Sequence, residues 1–209
     1  MPRLRTEPAA LSLRERKKRE LRGELNTVAL ARFERHGFEA TTVDAIAAEA
    51  GISRRTFFRY FATKEAVVFE GYAERLARFR ELARPLPEDG SAFRAVRRAC
   101  LEVAKGYDRE ASALLRQQRI VRRSPALTAY ELDLDRGWLA AIEQVLAKDL
   151  PKLDARILAG AVLGVIRAAL GAWFEANGRV ELVGLGERAF ALLEAGPARA
   201  GRRRGRSGR

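Results

Sequence analysis

The chain has 209 residues, of which 47% are apolar, enough to bury one hydrophobic core and a small second domain. Abundant Ala, Leu, Arg and Glu with few β-branched runs predict an all-α protein. A single His and a single Cys exclude an internal disulfide, a thiolate zinc cluster and the usual catalytic constellations. We therefore expect no enzymatic activity, no cofactor and no metal site.

The net charge of +13 is concentrated at the two ends of the chain. Residues 1–64 contain 14 basic and 8 acidic side chains, and residues 197–209 contain 6 and 0. Residues 65–196 are nearly balanced, with 20 and 19. A polyanion is therefore the expected partner of the N-terminal part, while the middle of the chain requires no such partner.

The chain begins with a basic arm, residues 1–13, which we expect to be flexible. Such an arm can enter a minor groove, or it can contact nothing specific, and its residues favour neither alternative. Residues 12–36 predict a first helix with basic opening turns. The cations at Arg14, Lys17 and Lys18 are expected to meet DNA phosphates, which adds affinity without sequence information.

Residues 41–64 predict two short helices joined by a tight turn. Thr42 and Ser53 can cap them, because a side-chain hydroxyl accepts from a free N–H of the first turn. Phe57 and Phe61, four residues apart, would form the buried face of the second helix and leave its polar residues outside. This pattern indicates a helix-turn-helix within a DNA-binding domain at residues 14–62. An ordinary hairpin with a charged outer face is the alternative, but three Arg, a Thr and a Tyr on one short helix favour DNA recognition.

The run from Gly51 to Phe61, Gly-Ile-Ser-Arg-Arg-Thr-Phe-Phe-Arg-Tyr-Phe, is followed by Lys64-Glu65. It resembles the DNA-binding signature of the TetR family of bacterial repressors, a resemblance that covers about residues 20–70. The resemblance implies phosphate contacts from Thr42, Tyr60 and Lys64. It also implies that Arg54, Arg55, Thr56 and Phe58 lie nearest the base edges. Arg55 stands where relatives often have Gly, which places an additional long cation at the groove. The complete set of expected DNA-binding residues is Arg14, Lys17, Lys18, Thr42, Ser53, Arg54, Arg55, Thr56, Phe58, Arg59, Tyr60 and Lys64.

A longer helical domain is predicted over residues 63–196. Thr63 should cap a fourth helix that continues unbroken to about Arg84, and in the TetR family this helix links the DNA-binding part to the rest. Further helices are predicted over residues 91–107, 108–123, 125–150, 155–176 (capped by Asp154) and 182–193. The fold expected is therefore all-α with about nine helices: a three-helix DNA-binding domain followed by a helical ligand-binding and dimerisation domain.

The second domain also carries a resemblance. Residues 116–127, Arg-Gln-Gln-Arg-Ile-Val-Arg-Arg-Ser-Pro-Ala-Leu, and the later Ala/Gly-rich helix ending in Trp-Phe are similar to regulators with acyl-CoA-like ligand domains, including mycofactocin-associated members. An amphipathic effector, such as a fatty acyl thioester, would suit an apolar pocket with a few cations. The candidate pocket residues are Phe79, Phe93, Tyr107, Arg119, Arg122, Trp138, Arg167 and Trp173. For most of them, packed core or solvated surface is the favoured alternative. If Arg167 is buried, it requires an anionic partner from the protein or from a ligand.

Small residues recur in the 155–176 helix, and their spacing permits a close approach of another helix. Glycine inside a helix costs about 1 kcal/mol relative to alanine, so packing should offset that cost. We expect this face to form a dimer interface, as in TetR relatives, with close packing inside one chain as the alternative. The small residues are Gly160, Gly164, Ala168, Gly171 and Ala172. Residues 157–174 also have membrane length, but Arg167 favours a core helix of a cytoplasmic protein and no membrane partner.

The sequence also predicts the roles of the single cysteine and of the C-terminal tail. Cys100 follows an apolar helical pattern, which indicates a buried structural thiol rather than a redox sensor. The Arg-rich tail, residues 197–209, should be disordered and either adds non-specific DNA affinity or is simply solvated.

Taken together, the sequence predicts a homodimeric, ligand-responsive transcriptional regulator that represses from a palindromic operator on double-stranded DNA. A transcriptional activator of the same family and a sequence-nonspecific basic DNA-binding protein are the alternatives.

Overall fold

The computed structural model describes residues 12–84 and 90–196, and these residues form ten α-helices and no strand, so the all-α prediction is confirmed. The helices are α1 (Leu13–His36), α2 (Val43–Glu49), α3 (Arg54–Tyr60), α4 (Lys64–Val68), α5 (Tyr72–Leu82), α6 (Ala92–Arg109), α7 (Ala111–Val121), α8 (Pro125–Leu146), α9 (Lys152–Glu175) and α10 (Leu182–Ala195). The expected tail at 197–209 and residues 1–11 of the expected arm lie outside the described residues.

The chain divides into two compact units, one ending at Glu70 and the other beginning at Gly71. The first contains α1 to α4, and the second contains α5 to α10. The sequence placed the boundary after residue 62, before α4. In the structure α4 packs on α1, and the Asn26 side-chain amide donates to the Val67 carbonyl oxygen at 2.7 Å.

The first unit is built on the long helix α1. A capping box starts it: the Ser12 hydroxyl accepts from the Glu15 backbone N–H, and the Glu15 carboxylate accepts from the Ser12 backbone N–H. Apolar residues three and four positions apart then face inward along α1. The fully or nearly fully buried side chains of this unit include Leu25, Ala29, Phe33, Phe38, Ile46, Phe57, Phe61 and Val67.

The single helix expected from Thr63 to about Arg84 is wrong, because the structure contains two. Thr63 does cap α4, accepting from the Ala66 N–H at 3.1 Å, but α4 ends at Val68. Gly71 then adopts φ 80°, a conformation that L-residues avoid, and α5 starts at Tyr72. The apolar pattern continues across this break because Phe69 is buried in the turn. The split accounts for ten helices rather than nine.

Two other expected helix ends are also wrong. Asp154 does not cap α9; the helix begins at Lys152 with Pro151 at the N-cap position and no side-chain cap. Asp154 lies instead in the first turn, where a carboxylate is favoured by the helix dipole. Helix α8 starts at Pro125 as expected but ends at Leu146, and the residues before Pro151 form turns.

In the second unit, α6 packs against α5, α8 and α10, while α9 packs against α8 and α10. The Asp108 carboxylate near the end of α6 joins three of these elements. One of its oxygens accepts from the Trp173 indole N–H at 3.1 Å and from the Leu182 backbone N–H at 3.0 Å. Since α10 has no side-chain cap of its own, Asp108 satisfies a free N–H at its first residue.

Candidate nucleic-acid interface and effector region

Helices α2 and α3 each begin with a local side-chain hydrogen bond. The Thr42 hydroxyl accepts from the Ala45 N–H at 3.1 Å, and the Ser53 hydroxyl accepts from the Thr56 N–H at 3.0 Å. Both expected caps are therefore present, each worth about 1 kcal/mol of helix stability. Gly51 has φ 66°, the left-handed region expected at the end of α2. These contacts give the short helix α3 a defined position on the first unit.

Helix α3 has one buried and one exposed face. Phe57 is fully buried and packs on Phe61, with ring centroids 5.8 Å apart. The exposed residues of α3 are Arg54, Arg55, Phe58 and Arg59, while Thr56 and Tyr60 are half-buried. A helix that presents an open, strongly basic face is suited to a major groove, whose base edges and flanking phosphates accept hydrogen bonds.

The neighbouring arginines Arg54 and Arg55 differ in their partners. Arg54 donates to the Asp44 carboxylate at 2.7 Å and lies over the Phe58 ring, 5.5 Å from its centroid. Such an exposed ion pair contributes about 0–1 kcal/mol, so a base edge or phosphate can replace Asp44 at little cost. Within residues 12–84 and 90–196, Arg55 forms no hydrogen bond or ion pair.

Lys64 is held inside the first unit. Its ammonium donates to the carbonyl oxygens of Phe38 at 2.8 Å and Thr41 at 2.9 Å, and it lies 4.0 Å from the Phe38 ring centroid. An ammonium has three donors, so one remains for the phosphate contact that the family resemblance implies. That contact stays a prediction. Arg59 lies over the Tyr60 ring at 5.3 Å, which brings a cation beside another expected phosphate contact.

The expected phosphate-binding cations of α1 lie in its opening turns. Lys17 and Lys18 are exposed, as phosphate contacts require. Arg14 lies in the first turn, and its side chain is outside the described part of the structure.

One set of contacts was not anticipated from the sequence. The Glu49 carboxylate at the end of α2 accepts from Arg32 at 2.5 Å and Arg35 at 2.8 Å, both on α1. These hydrogen bonds, above all that from Arg32, lower the pKa of Glu49. These two hydrogen bonds join α1 to α2, the helix that precedes α3. In the sequence, the only local indication of these contacts is a pair of arginines three residues apart on one face of α1.

The expected pocket residues do not form one group. Phe79 and Trp138 pack together with ring centroids 5.1 Å apart, and Phe93 packs against the same core cluster. Tyr107 and Trp173 belong to a second cluster, with centroids 6.3 Å apart. Arg119 and Arg122 are exposed. The structure therefore places most of the aromatic candidates in packed core, and their contact with a ligand stays a prediction.

Arg167 is not buried: its side chain is 42% exposed, and it has an anionic partner within the protein. It forms a salt bridge with Asp135 of α8, and Glu131 lies one helical turn earlier on that helix. Burial raises the pKa of both carboxyl groups, while Arg167 acts in the opposite direction. Burial, followed by the nearby charge of Asp135, also raises the pKa of the Tyr72 phenol. A half-buried polar cluster of two carboxyl groups, one arginine and the Tyr72 phenol thus lies between α5, α8 and α9.

Cys100 packs against the core of the second unit, and burial raises the pKa of its thiol to about 12. The thiol is therefore protonated at neutral pH, which supports the structural interpretation over a redox sensor.

The small residues of α9 lie on an open face. Gly160, Gly164, Ala168 and Ala172 are exposed and Gly171 is half-buried. A Cβ added at any of the three glycines would meet no atom within 4 Å. Close packing among the described residues therefore does not explain these glycines. Ile157, on this helix, is 63% exposed. Helix α9 is long and apolar enough to cross a membrane, and only 22% of its most apolar window is buried.

The first unit thus has the geometry of a helix-turn-helix DNA-binding protein, joined to a separate helical domain. Residues 27–70 match the family of bacterial regulatory proteins known as the TetR family, and residues 91–198 match the MftR C-terminal domain. The chain belongs to the TetR family and carries a C-terminal domain of the MftR type. It is a transcriptional regulator and not an enzyme, as the sequence predicted.

Two curated relatives are transcriptional regulators. MftR of Mycobacterium tuberculosis, assigned to the regulation of mycofactocin biosynthesis, is 30% identical over 179 residues, which covers 82% of this chain and 88% of the relative. The HTH-type regulator TcmR of Streptomyces glaucescens is 35% identical over 139 residues, covering 61% and 59%.

Solved structures show the same fold. The TetR-family repressor FadR of Thermus thermophilus, in complex with lauroyl-CoA, superposes with a TM-score of 0.59 at 23% identity, covering 84% of this chain and 94% of that one. The complex of SmeT with triclosan gives a TM-score of 0.61 at 19% identity, covering 82% and 88%.

Proposed function

We propose that the protein is a homodimeric repressor that binds a palindromic operator and is released by an amphipathic effector. The observation that carries the proposal is α3 itself: capped at Ser53, anchored by buried Phe57, and exposing Arg54, Arg55 and Phe58. The fixed helix supplies orientation, while the long cations reach the DNA. This is the arrangement by which a recognition helix reads base edges.

Dimerisation is supported by the open face of α9. Exposed glycines cost helix stability unless another surface packs closely against them, and no part of the described chain does so. A second copy, related by a two-fold axis, would cover this face with an identical one. Two copies of α3 about 34 Å apart would then match successive major grooves of a palindrome.

An acyl thioester is the first effector to test. The second unit matches the MftR C-terminal domain, and a structural neighbour, FadR of Thermus thermophilus, was crystallised with lauroyl-CoA. We expect the acyl chain to contact the aromatic clusters around Trp138 and Trp173, which are the apolar part of the second unit. An effector can release DNA only if it binds the DNA-incompetent state more tightly than the competent one.

The effector proposal is tested by titrating lauroyl-CoA into a preformed complex with operator DNA at near-physiological salt. We expect the fluorescence anisotropy of the labelled DNA to fall to the value of free DNA. Operator should lower the protein's affinity for lauroyl-CoA by the same factor by which lauroyl-CoA lowers its affinity for operator. An increase in operator affinity on adding lauroyl-CoA would contradict the proposed release and support an activator. Triclosan serves as an apolar control that lacks the thioester.

A further inference from the structure

We propose that Arg54 and Phe58 of α3 act as a pair that reads a guanine and, on the neighbouring base pair, the 5-methyl group of a thymine, in each half of the operator. Because Phe58 recognises only the methyl group, 5-methylcytosine at that position should be bound as thymine is. The inference rests on the proposed function, since it specifies the bases that α3 recognises. The family resemblance places both side chains near base edges and assigns no base to either.

The first observation is an exposed aromatic side chain on a basic surface. Phe58 is 42% exposed, and within the described residues of the first unit Leu13 is the other large apolar side chain with such exposure. The rings of Phe57 and Phe61 are buried in the core of this unit, and Phe58 contacts Phe57 with ring centroids 5.4 Å apart at 85°. The Phe58 ring therefore keeps an apolar surface on the face of α3 that is proposed to enter the major groove.

The second observation is that Arg54 and Phe58 form a contact pair. They stand four residues apart on α3, and the Arg54 guanidinium carbon lies 5.5 Å from the centroid of the Phe58 ring. The Asp44 carboxylate accepts from the same guanidinium at 2.7 Å. A guanidinium has five N–H donors, so donors remain for a base edge after this contact. The two supports orient Arg54 before DNA binds, which reduces the entropy lost on binding.

The chemistry of the two side chains selects their targets in the major groove. An arginine donates two parallel hydrogen bonds to the O6 and N7 atoms of guanine, whereas a phenylalanine packs on the thymine methyl group. The Phe58 ring has no hydrogen-bonding atom, so it cannot distinguish the O4 atom of thymine from the N4 amino group of cytosine. It follows that Phe58 distinguishes thymine from cytosine by the methyl group alone.

The short distance within the pair places the two targets on adjacent base pairs. A G·C pair of unmodified DNA carries no methyl group, so one base pair cannot satisfy both side chains. Neighbouring base pairs lie about 3.4 Å apart along the helix axis, and the twist of the duplex displaces their edges further. Targets on more distant base pairs would require Arg54 to leave both the Phe58 ring and Asp44. The expected recognition element is therefore a thymine next to a guanine.

The test selects bound duplexes from three randomised DNA libraries with the full-length protein and identifies them by sequencing. The first library contains the natural bases, the second has deoxyuridine in place of thymidine, and the third has 5-methyldeoxycytidine in place of deoxycytidine. The wild type is compared with Arg54→Ala, Phe58→Ala and Phe58→Leu. Leu13→Ala is the matched control, because Leu13 is an exposed apolar residue of the same unit outside α3. Circular dichroism and melting temperature establish that each variant is folded.

We expect the wild type to enrich a palindrome with a thymine next to a guanine in each half. The preference for that thymine should disappear in the deoxyuridine library, and 5-methylcytosine should be enriched at its position in the third library. Phe58→Ala should lose the thymine preference and keep the guanine preference, whereas Arg54→Ala should lose the guanine preference. Phe58→Leu and Leu13→Ala should both retain the thymine preference.

Anisotropy on the selected operator then measures the size of the effect. Replacing the thymine by deoxyuridine should weaken wild-type binding about 4-fold per half-site, the contribution of one buried methyl group. The same replacement should leave the affinity of Phe58→Ala unchanged, because that variant has no ring to contact the methyl group.

The outcomes separate this inference from the proposed function. Equal sensitivity of the wild type and Phe58→Ala to loss of the methyl group would overturn the inference, and so would wild-type binding that does not change with deoxyuridine. Either result would leave the sequence-specific repressor of the proposed function in place. Enrichment of no sequence from the natural library would refute the proposed function and the inference together. If Phe58→Ala is unfolded, the wild type on the deoxyuridine and 5-methylcytosine libraries decides the inference.

Discussion

Arg54 and Arg55 of α3 show how far neighbouring side chains can differ in role. Arg54 is held against Asp44 and the Phe58 ring, whereas Arg55 has no such support. Both face outward from a helix fixed by its caps. Tyr60 and Lys64 lie closer to the body of the first unit, where phosphate contacts orient a protein without reading sequence.

We expect Arg54→Ala and Arg55→Ala each to reduce the ratio of operator to random-duplex affinity, because a bidentate base contact is worth about 1–3 kcal/mol of discrimination. Tyr60→Phe should weaken binding to both duplexes by similar factors, since it removes a phosphate contact. Competition anisotropy measures these ratios. Equal losses on both duplexes for all three variants would contradict the division of roles.

Asp108 offers a test of stability at a single residue. Asp108→Ala leaves the Trp173 indole N–H and the Leu182 backbone N–H without their acceptor. A lost hydrogen bond to a charged group costs about 1.5–3 kcal/mol, so chemical denaturation should show a loss of at least that size. The control Asp133→Ala removes an exposed carboxylate and should change stability by less than about 0.5 kcal/mol. An unchanged free energy of unfolding for Asp108→Ala would show that water replaces the carboxylate as the hydrogen-bond acceptor.

Much of the residue-level detail in the first unit could be predicted from sequence. Thr42, Ser53 and Thr63 cap the helices they precede because capping is a local interaction, complete within three residues. The contacts of Lys64 and Asp108 could not be foreseen in this way. Their partners lie 23 to 74 residues away in the chain, and only the folded backbone brings them together.

At the scale of helices, α9 buries one face in the core of the second unit and leaves open the face of small residues for which an interface between copies was expected. Its apolar composition identified a buried helix, but burial within the chain covers only part of its surface. The break between α4 and α5 was missed for a related reason, since hydrophobic periodicity continues through Phe69 while a single glycine at position 71 redirects the backbone. Periodicity reports which residues are apolar, and it does not report what covers them.

The exposed face of α9 predicts the effect of a charge on oligomeric state. We expect Ile157→Glu to convert a dimer to a monomer at micromolar concentration, because a carboxylate in an apolar interface lacks both water and a partner. Leu132→Glu is the control, since Leu132 is a 53% exposed apolar residue of another helix, α8. Analytical ultracentrifugation distinguishes the two. A dimer that persists in Ile157→Glu would assign the interface to another surface.

For the whole molecule, the two units have different electrostatic character. Residues 1–64 have a net charge of +6 and residues 65–196 one of +1, and the second unit contains half-buried carboxylates at Glu131 and Asp135 whose pKa is raised by burial. A carboxyl group whose pKa is higher in the folded state stabilises the fold when protonated. Its ionisation removes that contribution as pH rises through the folded pKa.

We therefore expect Glu131→Gln to raise the melting temperature, relative to the wild type, more at neutral pH than near pH 4.5, the ordinary pKa of a glutamate. The variant removes a carboxylate whose ionised form is disfavoured by burial. Asp133→Asn, an exposed acid of the same helix, is the control and should show no such pH dependence. A melting-temperature difference that is constant with pH would contradict the burial of Glu131.

The central claim is that an exposed, capped α3 gives this protein sequence-specific binding to DNA as a dimer. The most direct measurement is fluorescence anisotropy on a duplex taken from the DNA flanking its gene, at near-physiological salt with an excess of scrambled duplex. We expect binding that resists the competitor, with two chains per operator and a specific affinity at least about 1,000-fold above that for random sequence. Binding no tighter than to the scrambled duplex at any site in the flanking DNA, and lost at moderate salt, would contradict the claim and indicate a sequence-blind basic protein.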